Sequence, residues 1–203
     1  MRYFYKYKCT DLVLDTNGIG IGIFDYICKD QYDSSTGDTY KALTCINDDD
    51  MAIRCKIKDA NKVVWSVKAN SNFNNEICVL LRNGIQNGKI SFLISEQDCE
   101  DEIAKAYKNF SKLTPSDQAY IKMPYLQTTM AEYELIKLDH EIRNGNIKVK
   151  EQAGMRKDRY SSIAYNYWCA CQLELALRPK QSTNDLLKYI SIKAPKRSSL
   201  YNC

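Results

Sequence analysis

The sequence predicts an α/β fold, and three observations point there. The run Leu12-Val13-Leu14-Asp15 is a short apolar strand ending in a carboxylate, and Thr16-Asn17-Gly18 turns it into a helix-like pattern that begins near Ile19. A second strand, Lys62 to Lys68, precedes a helix in which Phe73, Ile77, Leu80, Leu81 and Ile85 recur at helical spacing. Beyond it the chain keeps exchanging period-two runs for helical ones, the alternation expected of helices laid on a sheet. In open sheets of this class ligands meet the carboxyl ends of the strands, so Asp15 is the first candidate functional residue.

The elements come in order along the chain. Arg2 to Lys8, with Tyr3, Phe4 and Tyr7 to one side, reads as the last two turns of a helix leading into the first strand. Ile19 to Gln31 places Ile23, Phe24, Ile27 and Cys28 on one stripe, and residues 33–39 form a loop. Tyr40 to Ile46 forms an irregular strand, after which Asn47-Asp48-Asp49-Asp50 supplies acids to the first turn of a short helix ending about Cys55. That acidic run lacks the alternating ligand spacing of a calcium loop. Asn70-Ser71 caps the helix behind the second strand, and Asn87-Gly88 stops it before a predicted strand from Lys89 to Ile94. A helix is expected from about Gln97 to Lys112. Thr114-Pro115 opens another, which Pro124 should kink or divide before it runs on to about Ile142. Asn144-Gly145 turns the chain into a short strand, Asn146 to Lys150. Asp158 caps a final helix whose apolar stripe is Ile163, Ala164, Tyr167, Trp168, Cys171 and Leu175.

A chain of 203 residues suits one domain with appendages. Hydrophobic residues make up 44% and charged residues 27%, no apolar run approaches the roughly 20 residues of a membrane helix, and the opening residues lack a signal-peptide core. A cytosolic, non-membrane protein is expected. The nine cysteines are odd in number and scattered within apolar patterns, so they read as reduced core residues. Cys169 and Cys171, two apart in a helix, point to different faces and do not suit a shared zinc ion. A net charge of +4 does not demand a nucleic-acid partner. The charge is concentrated late, however: residues 178–203 carry six cations against the single acid Asp185 and form a basic tail, solvated or phosphate-neutralising.

Two acids stand out for chemistry, Asp15 at a strand end and Asp158 at a helix start flanked by Arg156, Lys157 and Arg159. Phosphodiester hydrolysis needs a hydroxide nucleophile and a stabilised leaving oxygen, which two hard cations about 4 Å apart supply together. Magnesium or manganese in that role takes carboxylate ligands converging from several elements, with basic residues beside them for the polyanion. The plainer readings are a helix cap for Asp158 and a turn acid for Asp15. Asp11 shares a strand face with Asp15 but lies about 13 Å away, and Asp25 sits more than a turn inside the next helix. Asp139-His140-Glu141 holds the single histidine, with its side chains diverging on a helix. Tyr160, Tyr165, Tyr167 and Trp168 have the spacing of core aromatics. In Gly18-x-Gly20-x-Gly22, Ile23 stands where a dinucleotide fingerprint needs its third glycine.

Four segments taken together, Leu12 to Gly20, Met51 to Lys58, Val63 to Asn70 and Arg156 to Ala164, resemble the C-terminal nuclease domain of the large terminase subunit of tailed bacteriophages, over about residues 1–177. The resemblance implies an RNase H-like mixed sheet flanked by helices, lacking here the N-terminal strands of that fold, with residues 178–203 as an appended tail. It implies a magnesium- or manganese-dependent endonuclease that cuts concatemeric double-stranded viral DNA in the cytoplasm of the bacterial host. Its partners would be the terminase small subunit, the portal and an upstream packaging ATPase. No phosphate-binding loop of that ATPase occurs in the chain. Of the three acids of the family's site, Asp15 matches the second and Asp158 the third, while the first belongs to a strand upstream of Met1. With two acids of three, weak metal binding and poor cleavage are expected. Arg156, Lys157 and Arg159 are expected on the DNA backbone. The alternative is a non-catalytic DNA-binding or motor-docking module.

Overall fold

The computed structural model describes residues 1–178, so the basic tail, Arg178 apart, lies outside the described residues. The chain divides into two units, Met1–Cys171 and Gln172–Cys203, and every strand described belongs to the first. The order is α1 (Arg2–Lys6), β1 (Leu12–Asp15), α2 (Ile19–Ile27), β2 (Gln31–Asp33), β3 (Asp38–Tyr40), β4 (Leu43–Cys45), α3 (Asp49–Arg54) and β5 (Asn61–Val67). Then come α4 (Ser71–Gln86), α5 (Cys99–Ala106), α6 (Pro115–Lys137), β6 (Asp139–Arg143), β7 (Asn146–Lys150) and α7 (Asp158–Leu177).

The fold is α/β, with a small parallel sheet in the order β1-β5-β4 and helices on both of its faces. Strand alternation in β5 sends successive side chains to opposite sides. Val64 is fully buried with Phe24, Ile27, Leu43 and Met51, the core beneath α2 and α3. Trp65 points the other way and meets Trp168 edge to face at 6.0 Å. On that side Ile77 and Leu81 of α4 pack with Tyr160 and Ala164 of α7. Four of the described cysteines, at 28, 45, 99 and 169, are buried as small core residues, and burial with Cys55 nearby pushes the Cys28 thiol up to about 12.

Asp48, Asn70 and Thr114 cap their helices, whereas Asp158, expected as a cap, is instead the first residue of α7. The Asp48 carboxylate accepts the Met51 amide at 3.1 Å, the Asn70 side chain accepts the Phe73 amide at 2.9 Å, and the Thr114 hydroxyl accepts the Asp117 amide at 3.2 Å. Gly88, at φ +64°, takes the left-handed conformation just past α4.

Several expectations need correction. The helix expected from Ile19 to Gln31 ends at Ile27, and the stretch read as a loop over 33–39 is flanked by β2 and β3, paired as an antiparallel hairpin. Lys89 to Ile94 pairs with no strand among the described residues, and Ile90 instead packs against the α4–α7 core. The helix expected from Gln97 to Lys112 is shorter, ending at Ala106 with a separate 3-10 turn over Phe110–Lys112. Pro124 does not divide α6, which runs from Pro115 to Lys137 with one backbone donor missing and the Thr128 hydroxyl donating to the Pro124 carbonyl at 2.9 Å. Residues 139–143 are not the end of that helix but the strand β6, paired antiparallel with β7. Asn144 at φ +49° and Gly145 at φ +79° form the two-residue turn between them, the left-handed pair whose twist suits a hairpin.

The glycines behind Asp15 have separable roles. A Cβ on Gly20 would stand 1.7 Å from the Asp15 carbonyl oxygen, so only glycine lets α2 start against the end of β1. A Cβ on Gly22 meets nothing within 4 Å. Gly20→Ala is therefore expected to cost at least about 2 kcal/mol through overpacking against backbone. Gly22→Ala is expected to gain about 0.5–1 kcal/mol by reducing the freedom of the unfolded chain. Urea midpoints of the two variants check both signs.

A second check concerns acid. Asp33 accepts the Ser35 hydroxyl at 2.7 Å and the Arg2 guanidinium at 2.6 Å, and these bonds hold its carboxyl down at about 2. Because the folded value lies below the unfolded one, the stabilisation is present above the ordinary carboxylate range and is lost as pH falls through it toward 2. Asp33→Asn should flatten the decline of the urea midpoint between about pH 4 and pH 2.

Candidate functional site

Parallel pairing fixes the position of Asp15. Its register partner is Val67 at the end of β5, and the next residue, Thr16, is buried and donates its amide to the Val67 carbonyl at 2.9 Å. The Thr16 hydroxyl lies 2.7 Å from that of Ser66, and the Asn47 amide group brackets Ser66, donating to its carbonyl at 2.9 Å and accepting its N–H at 2.8 Å. This polar chain, buried at Thr16 and Ser66, ties the carboxyl ends of β1 and β5 to the segment leaving β4, and satisfied groups of this kind hold one geometry. Asp15 itself accepts the Asn17 amide at 3.0 Å, the turn bond expected of it.

The Asp15 carboxylate opens onto a cavity of about 570 Å³. One wall comes from the start of α4, with Ser71, Asn74 and Ile77, and a second from the β6–β7 hairpin, with Arg143, Asn144, Ile147, Lys148 and Val149. The third wall is one face of α7 and the residue before it: Lys157, Tyr160, Ser161 and Tyr165. Burial raises the Tyr165 phenol and the neighbouring Asp15 charge raises it further, so the phenol keeps its proton as a donor beside that carboxylate. Asp15 is the single carboxylate of the cavity, against three cations. Arg143 is held by Glu141 at 2.8 Å and Lys148 approaches the same carboxylate at 3.9 Å, whereas Lys157 pairs with no carboxylate among the described residues.

Asp158 lies elsewhere. It is the first residue of α7, 78% exposed at its side chain, and lines a shallower concavity with Gln127, Arg156, Arg159 and Ser162. The Arg156 guanidinium lies 3.9 Å from its carboxylate. The cap position falls on Lys157, whose carbonyl accepts the Ser161 amide at 2.9 Å. Lys157 and Asp15 thus share one cavity, and Asp158 and Arg156 share another.

Arg159 faces α6, with its guanidinium 3.2 Å from the Gln127 oxygen and 3.5 Å from Glu134. Glu134 is 4% exposed and also accepts the Tyr160 amide at 2.8 Å, closing one of the open donors at the start of α7. Nothing in the local sequence marks Glu134, because a carboxylate between helices is recognised only once both helices are placed. Arg143, Asn144 and Lys148 were reachable: Asn144-Gly145 between two alternating runs is a hairpin signal. The other acids near Asp15 in sequence are engaged elsewhere, Asp11 accepting the Trp65 indole N–H at 2.8 Å and Asp25 pairing with Arg54. His140 sits on exposed β6 opposite Val149.

A pair of magnesium or manganese ions takes oxygen ligands from several carboxylates. The Asp15 cavity offers one carboxylate beside three cations, and among the described residues no three His, Cys, Asp or Glu side chains are grouped to hold a metal ion. The residues present in the cavity do not fit the metal pair. Their charge and donors suit an anionic group, with Lys157 free to meet it. Among the described residues no helix is long and apolar enough to cross a membrane. No protein family, curated protein or solved structure matches the chain in comparisons of sequence and fold.

The anchoring of α7 gives a direct test. Glu134→Ala strips the acceptor from the Tyr160 amide and the counter-charge from Arg159, with an expected cost of about 2 kcal/mol in urea unfolding. Arg156→Ala, at an exposed side chain, should change the midpoint by less than about 0.5 kcal/mol.

Proposed function

We propose that this chain is an RNase H-like nuclease domain of the phage large-terminase type, an endodeoxyribonuclease that handles double-stranded DNA during packaging in the bacterial host. The observation supporting this reading is the placement of Asp15: at the carboxyl end of a parallel strand, held there by a polar network buried at Thr16 and Ser66, and facing a cavity with a free lysine. A phosphodiester in that cavity would meet Lys157, Arg143 and Lys148 through charge, and the Tyr165 phenol would steady the Asp15 carboxylate. Any magnesium or manganese of such an enzyme would need ligands beyond Asp15.

The placement of Asp158 on a separate concavity favours a second reading, in which the chain binds DNA or docks the packaging motor without cutting. Supercoiled plasmid incubated with the 203-residue chain and manganese separates the two. Slow nicking that Asp15→Ala abolishes, with DNA binding retained, supports the nuclease. Retention of DNA without nicking at any manganese concentration supports the second reading, and nicking unchanged by Asp15→Ala defeats the assignment of Asp15.

A further inference from the structure

The cavity at Asp15 is built on the scale of a single nucleotide. At about 570 Å³ it falls within the roughly 300–1,000 Å³ of small-molecule sites. Its lining combines two chemistries. Ile77 and Tyr160 are buried in the α4–α7 core, with Val149 packed against that core, and together they give the lining fixed apolar surface. Lys157, Arg143 and Lys148 bring positive charge to the same lining, and Asp15 adds one acceptor for a hydroxyl or amino group.

We propose that this cavity binds a nucleoside 5′-monophosphate unit, with its phosphate on the cations, led by Lys157, and its base against the Ile77–Tyr160–Val149 surface. This deepens the nuclease reading, and rests on it only in assigning the cavity to nucleic-acid phosphate. Within that reading the unit held is the 5′-phosphorylated terminal nucleotide of a cut end. A lining that carries both apolar side chains and cations rewards a ligand that carries both parts, so neither a nucleoside nor free phosphate should match the ester that joins them. Lys157 should dominate because Arg143 and Lys148 share their charge with Glu141.

Calorimetric titration of the full chain with deoxyadenosine 5′-monophosphate, deoxyadenosine and inorganic phosphate tests this without any cleavage step. The monophosphate is expected to bind at least about tenfold more tightly than either fragment, a difference of about 1.4 kcal/mol. Lys157→Ala should weaken it about tenfold, Lys157→Arg should restore most of the affinity, and Lys56→Ala, away from the cavity, should leave it unchanged. Equal binding of phosphate and monophosphate would overturn the proposal, as would an affinity indifferent to Lys157→Ala in a variant whose circular dichroism is native. Tight monophosphate binding without plasmid nicking would sink the nuclease reading and leave this site standing. Nicking without monophosphate binding would do the reverse.

Discussion

The parallel ladder between β1 and β5 is the constraint on which the rest of this structure depends. It sets Asp15 opposite Val67 and delivers the carboxyl ends of both strands to one edge of the sheet. The path of the chain out of β1 is then narrowly determined. Gly18 turns it at φ +54°, and Gly20 brings α2 so close to the Asp15 carbonyl that no side chain fits between them. The two outer glycines of that run differ in consequence, one answering a backbone conformation and the other, Gly22, lying in open space.

A second constraint operates at the far end of the chain. The start of α7 is held by Glu134, a carboxylate buried between helices that accepts a backbone amide and faces the Arg159 guanidinium. Burying a charge is unfavourable unless it is paired and hydrogen-bonded, and both conditions are met. The consequence for the site is geometric. With α7 anchored by one face, Lys157, Ser161 and Tyr165 turn toward Asp15, while Asp158 turns to a different concavity. Of the three cations beside Asp158 in sequence, each finds its own environment: Lys157 the cavity, Arg159 the α6 contact, Arg156 solvent beside Asp158.

Local signals make much of this legible in the sequence. Asp48, Asn70 and Thr114 are readable as caps because a short polar side chain before a helix has one common use, and β1 and β5 are readable from their apolar runs. Sequence reasoning fails where a partner across the fold decides the outcome. Lys89 to Ile94 alternates like a strand, yet a strand exists only when another edge accepts its hydrogen bonds. Asp139 to Arg143 reads as helix because the apolar pattern of α6 continues into it, although Asn144-Gly145 announces a hairpin. The candidate site is half legible: Asp15 and Lys157 come from chain order and charge, whereas the wall with Arg143 and Lys148 depends on β6, which the helical pattern hides. Asp158 stands out for its place at a helix start, which does not specify the direction its carboxylate takes.

The proposed function stands or falls on nucleic-acid phosphate entering the cavity between β1, the β6–β7 hairpin and α7. Amide chemical-shift mapping with a short DNA duplex bearing 5′-phosphates measures this most directly. The largest shifts are expected to gather at Asn17, Asn144, Lys148, Lys157 and Ser161. Shifts confined instead to the Asp158 concavity, around Gln127, Arg156 and Ser162, would defeat it.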